Sequence, residues 1–184
     1  MVATSTDAGV TIFRSWGLGA TAFVALALLP VAVVAHGPHT HGKGELELTI
    51  QGSAIRGAFR TPMDSLLGFE HLPKTEAQRN AVDQLRQRLA NPSAVVTPNP
   101  EASCTPRMSE ATSALFTGAV RGEHSDLEVR FSFNCASPAG LKTLELTALK
   151  DFKRLSEVYV QLVTESGQRA LVLKKKDPRV VIAR

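Results

Sequence analysis

Gly44-Glu45-Leu46-Glu47-Leu48-Thr49-Ile50-Gln51, followed by Gly52-Ser53 and Ala54-Ile55-Arg56-Gly57-Ala58-Phe59-Arg60, is the stretch whose reading decides the fold. Leu46, Leu48 and Ile50 alternate with Glu45, Glu47 and Thr49. A period of two places the apolar side chains on one face of a strand and leaves the other face in water. Gly52-Ser53 reads as a turn and 54–60 as the returning strand, so the domain opens with a hairpin.

The same alternation recurs downstream, most regularly in Leu127-Glu128-Val129-Arg130-Phe131-Ser132-Phe133. Strands are expected over 104–112, 127–135, 141–149, 158–164 and 168–173, with Glu165-Ser166-Gly167-Gln168 a tight turn between the last two. A short helical turn over 151–155 bridges two of them. Residues 64–72 read as irregular, anchored by Leu66, Leu67, Phe69 and Leu72 and ended by Pro73. One helix is clear, from 76 to about 90. Thr75 caps it with Gln78 three residues on, a capping box, and Ala77, Ala81, Val82, Leu85 and Leu89 form its apolar stripe. Asn91-Pro92 stops it. The expected class is α+β: a mainly antiparallel sheet with one long helix packed on it.

Upstream of the hairpin the composition changes. Arg14 precedes an apolar run from Trp16 to Val34, and Val33-Val34-Ala35 supplies small residues before polar His36-Gly37-Pro38. A basic flank, an apolar centre and a small-residue exit make residues 1–35 a secretory signal peptide. The competing reading is a retained membrane helix, but Pro30 lies late in the run and no basic cluster follows Ala35. The membrane would then be met only through an uncleaved signal segment. Cleavage leaves 149 of 184 residues, read as a His-rich segment at 36–43 and a single α+β domain at 44–184. The leader carries Asp7 and Arg14, which cancel, so the mature chain keeps the net charge of +4. The bases are spread out, and Lys174-Lys175-Lys176 reads as a solvated strand end. No nucleic-acid partner is implied.

Export also bears on Cys104 and Cys135. In an oxidising compartment an even pair bonds, and only one connectivity exists. Closing a loop of about 30 residues contributes on the order of 3 kcal/mol in the chain-entropy model. A two-thiolate metal site is the alternative, with His124 the only obvious further ligand between the cysteines.

The five histidines are the most informative feature. His36, His39 and His41 fall within six residues at the mature start. In extended backbone His-X-His puts two imidazoles on one face about 7 Å apart, close enough to share an ion. Imidazole nitrogen suits Zn(II), Cu(II) and Ni(II). His71 follows Glu70 just before the helix, and His124 stands in Glu123-His124-Ser125-Asp126, a polar loop entering the Cys135 strand. Glu70, Glu123 and Asp126 supply neighbouring carboxylates. If cleavage leaves His36 first, its free amine and ring nitrogen chelate copper with His39 or His41 completing the set.

Catalytic patterns are missing from the sequence. It holds no Gly-X-Ser-X-Gly elbow, phosphate loop, dinucleotide glycine fingerprint or His-Glu-X-X-His helix. Glu70 beside His71 reads as a charged loop pair rather than the base of a zinc-bound water. The expectation is a protein that is not an enzyme.

Taken together, the His-rich start running into Gly42-Lys43-Gly44-Glu45-Leu46, then Leu67-Gly68-Phe69-Glu70-His71 with Pro73, Thr75 and Gln78, resembles the ZrgA-like family of periplasmic zinc-associated proteins. Cys104, the His-containing loop, Phe131-Ser132-Phe133-Asn134-Cys135, Gly167-Gln168-Arg169 and Lys176-Asp177-Pro178-Arg179 continue the resemblance over nearly the whole mature chain. It implies a bacterial periplasmic protein linked to zinc limitation, which binds zinc and aids a zinc importer or another envelope protein. It points to His39, His41 and His71 as ligands, with the His124 loop as an accessory. One departure is that the long His/Asp/Glu-rich insert common between the cysteines has shrunk here to Glu123-His124-Ser125-Asp126, which argues against high-capacity storage. The leading expectation is a periplasmic zinc-binding protein using His36, His39, His41, His71, His124, Glu70 and Asp126. The alternatives are a disulfide-closed envelope interaction module with incidental histidines, and a copper-handling protein using the His36 amine.

Overall fold

A computed structural model describes residues 40–122 and 124–182. The signal-peptide reading of 1–35, His36, His39 and Glu123 lie outside the described residues. The opening hairpin forms as its alternation dictates. In β1 (Lys43–Gln51), Leu46 and Leu48 are buried while Glu45 and Glu47 face solvent. The chain reverses at Gly52, where φ is +55°, and β2 (Ala54–Pro62) returns antiparallel with Leu46 opposite Phe59.

Two more long strands, β4 (Cys104–Ser113) and β5 (Asp126–Cys135), extend the sheet beyond β2, and the hairpin β7 (Glu157–Thr164)–β8 (Gly167–Lys174) extends it beyond β1. The order is β4-β5-β2-β1-β7-β8. Every neighbouring pair is antiparallel except β1–β7, which is parallel, so the sheet is mixed. Gly57 lies opposite Phe131 across β2–β5, and a Cβ at Gly57 would come within 2.3 Å of the Phe131 ring. The missing side chain is the space that the ring fills. A second sheet pairs β6 (Thr143–Glu145) between β3 (Thr97–Pro98) and β9 (Arg179–Val181).

The expectation of a single helix is corrected: there are four α-helices among the described residues. α2 (Glu76–Leu89) starts at the Thr75–Gln78 capping box, with both reciprocal hydrogen bonds made. Its buried stripe is narrower than the sequence suggested. Val82, Leu85 and Leu89 are buried, whereas Ala77 is exposed. The helix packs beside β4, where the Ser109 hydroxyl donates to the Leu89 carbonyl at 2.6 Å, and beside α3 (Ala114–Thr117). Part of the segment read as irregular, 64–72, is α1 (Asp64–Leu67), ended by Gly68 at φ +83°. The strand expected over 141–149 is also corrected. Only β6 forms there, and the chain turns into α4 (Thr147–Asp151), earlier than the helical turn expected at 151–155. A short apolar run does not distinguish strand from helix by periodicity alone. Leu144, Leu146, Ala148 and Leu149 are all buried either way, and the Ala148 N–H is drawn to the Val95 carbonyl at 3.1 Å.

Cys104 and Cys135 form a disulfide across directly paired positions of β4 and β5. It pins one end of that strand pair. The other end, where β2 finishes at Pro62 opposite Asp126 and where β1 begins, is where the candidate site lies.

Candidate metal centre

Three chain segments meet at this end of the sheet. The first is the entry to β1. Gly42 has φ +77°, its N–H donates to the Ser65 hydroxyl at 2.9 Å, and its carbonyl accepts from the Ser156 N–H at 2.8 Å and the Ser156 hydroxyl at 2.9 Å. Backbone clamped on both sides fixes where His41, one residue earlier, leaves the chain. The second segment follows β2. α1 reverses the chain, Gly68 ends it, and Glu70 is carried back beneath the sheet end, its residue only 7% exposed. The third is the loop into β5. The Met63 N–H donates to the Ser125 carbonyl at 2.9 Å and the Ser113 and Ser125 hydroxyls lie 3.0 Å apart, which seats His124 beside Glu70.

Both imidazoles address the same carboxylate oxygen. His41 Nε2 is 3.1 Å and His124 Nδ1 2.5 Å from Glu70 Oε1. One potential ligand atom from each of the three residues lies within 4.8 Å of the other two. The His41 and His124 side chains are 53% and 68% exposed, whereas that of Glu70 is 9% exposed. A buried carboxylate is costly unless it is paired. Among the described residues the recorded side-chain partners of Glu70 are these two solvent-facing rings. Asp64 lies on the far side of His41, its Oδ1 3.6 Å from Nδ1, and is itself gripped by Arg154.

Two neutral imidazoles and a carboxylate form a donor set that zinc accepts, with a fourth position left for solvent or another donor. Bonds of about 2.0 Å in a tetrahedron set donors about 3.3 Å apart. The donors here lie 3.1 and 2.5 Å from Glu70 Oε1 and all within 4.8 Å of one another, so adjustment of the two exposed rings is enough to reach that spacing. The residues fit the ion.

Of the ligands named from the sequence, the structure brings together His41, Glu70 and His124. His71 lies outside this group: its Nδ1 is 2.8 Å from the Leu72 carbonyl oxygen and its ring stacks 5.5 Å from that of Phe69. Asp126 is the exposed first residue of β5, outside the three-residue group. Asp64 and Arg154 had no signal in the sequence, because neither belongs to a recognisable metal pattern and they are 90 residues apart. No helix among the described residues is long and apolar enough to cross a membrane.

Residues 38–182 match the protein family described as ZrgA family zinc uptake protein. The search of curated proteins finds no matching relative.

Proposed function

The chain belongs to the ZrgA family of zinc uptake proteins, and from that premise we propose that it captures zinc in the periplasm at His41, Glu70 and His124, without catalysis. The observation that carries the reading is the buried Glu70 carboxylate placed between two exposed imidazoles. Zinc displaces protons here: each ring nitrogen facing Glu70 presents a lone pair to the ion, and the carboxylate neutralises part of its charge. Glu70 is buried while both histidines stay open to solvent, so an ion enters and leaves from the solvent side. That geometry suits a carrier that passes its cargo to a zinc importer, which supplies donors from the open side. The single Cys104–Cys135 bond is compatible with an oxidising compartment.

The test is a zinc titration of the purified mature protein against a chromophoric chelator, with intact-mass measurement under native conditions. One zinc per chain is expected, and His41→Ala, Glu70→Ala and His124→Ala should each weaken it at least tenfold. If all three variants bind zinc as the parent does, the site reading is wrong, and a disulfide-closed interaction module takes its place.

A further inference from the structure

His41 offers two nitrogens, and they face different carboxylates. Nε2 faces Glu70 at 3.1 Å and Nδ1 faces Asp64 Oδ1 at 3.6 Å. The two carboxylates are not equivalent. Glu70 is shared between imidazoles, whereas Asp64 is tied to a guanidinium. Arg154 Nη2 lies 2.8 Å from Asp64 Oδ1 and 3.0 Å from Oδ2, and its Nε donates to the Asp64 main-chain carbonyl at 3.0 Å. Asp64 is 7% exposed at the start of α1, and the Arg154 side chain passes over Gly68, whose absent Cβ would lie 3.5 Å from its Cδ.

Resting on the zinc-capture reading above, we propose that Asp64 is a positioning residue that selects Nε2 as the metal-binding nitrogen of His41, and that Arg154 holds Asp64 to this role. A ligating imidazole commonly gives its other N–H to a carboxylate, which fixes the tautomer and the plane of the ring. Asp64 is the carboxylate on that side of His41. Arg154 occupies both carboxylate oxygens, so Asp64 is kept as an acceptor for the ring and does not swing in as a fourth ligand. Glu70, which has no such cation among the described residues, is left to meet the ion. The fork of Arg154 matters more than its charge, since it contacts side chain and main chain of Asp64 together, and lysine cannot reproduce that. His124 receives no comparable support among the described residues, so the two histidines differ. His41 is the oriented ligand, and His124 is the less constrained one.

The test combines nitrogen-15 NMR of the histidine rings in zinc-loaded protein with chelator competition. In the parent, the His41 ring should carry its proton on Nδ1 and bind through Nε2. Asp64→Ala should weaken zinc by about 10- to 100-fold, the usual cost of losing such a partner. Asp64→Asn, whose amide oxygen can accept from Nδ1–H once the ring closes on the ion, should restore most of the affinity, and Arg154→Lys should fall between. Thermal midpoints of the metal-free variants separate these effects from misfolding. Coordination of His41 through Nδ1, or equal affinity of Asp64→Ala and the parent while Glu70→Ala loses zinc, would overturn the positioning role and leave the capture site standing. Full zinc binding by Glu70→Ala would instead remove the site itself.

Discussion

The sharpest consequence of the site is that zinc should stabilise the fold by an amount set by how the ligands are distributed along the chain. His41 is 29 residues from Glu70, and Glu70 is 54 from His124. No unfolded chain holds the three together, so the ion binds the native state and drives the equilibrium by mass action. At a free zinc concentration of 100 Kd the linkage is worth about 2.7 kcal/mol. For a domain of this size, with roughly 3–4 °C of shift per kcal/mol, the melting temperature should rise by about 8–10 °C. Glu70→Gln keeps the shape and hydrogen bonding of the side chain but removes the charged ligand. If affinity falls about 100-fold, the same zinc concentration equals the new Kd, the linkage drops to RT ln 2 or about 0.4 kcal/mol, and the shift shrinks to about 1–2 °C. Differential scanning calorimetry in chelator-buffered zinc measures both. His39→Ala serves as control, because a local cluster near the N-terminus would bind folded and unfolded chains alike and contribute no shift. A zinc shift in Glu70→Gln as large as in the parent would refute the argument, whatever the stoichiometry.

Acidification should weaken the zinc-dependent part of the stability. Protons compete with the ion for its ligand atoms, so the zinc-induced rise should be smaller at about pH 5 than at about pH 7.5. Replacing Cys104 and Cys135 together by serine should lower unfolding stability by about 3 kcal/mol in urea titration, the cost of releasing a loop closed over 31 residues. The native-state zinc affinity should stay intact in that variant, since the disulfide lies at the opposite end of β4–β5 from the site. Gly57→Ala should cost about 1–3 kcal/mol, because the added methyl would sit 2.3 Å from the Phe131 ring and one of them must move.

What was legible beforehand follows from which interactions are local. The β1–β2 hairpin, the capped helix at Thr75 and the β7–β8 hairpin are each written within about twenty consecutive residues, as alternation, a capping box and a turn. The cysteine pairing was legible because only two cysteines exist. What could not be read was anything resting on contacts between distant segments. The parallel pairing of β1 with β7 has no local signature, since each strand alternates as it would beside an antiparallel neighbour. The run after Leu141 was misread because an apolar stretch that is buried in either form lets distant partners, here Val95 and Pro178, choose the backbone.

The site divides the same way. The sequence by itself determined that imidazoles and carboxylates were available, and family likeness made zinc their expected use. It placed Glu70 beside His71, because they are neighbours in the chain. The tertiary structure decided otherwise about contact. The register that sets Pro62 opposite Asp126 brings the β5 loop to α1, so His124 meets Glu70 across 54 residues while His71, one residue away, turns to the Leu72 carbonyl. Side-chain direction reverses between adjacent residues of an extended chain, whereas strand register can bring remote ones within bonding distance. Chemistry was therefore readable from composition, and partnership only from the fold.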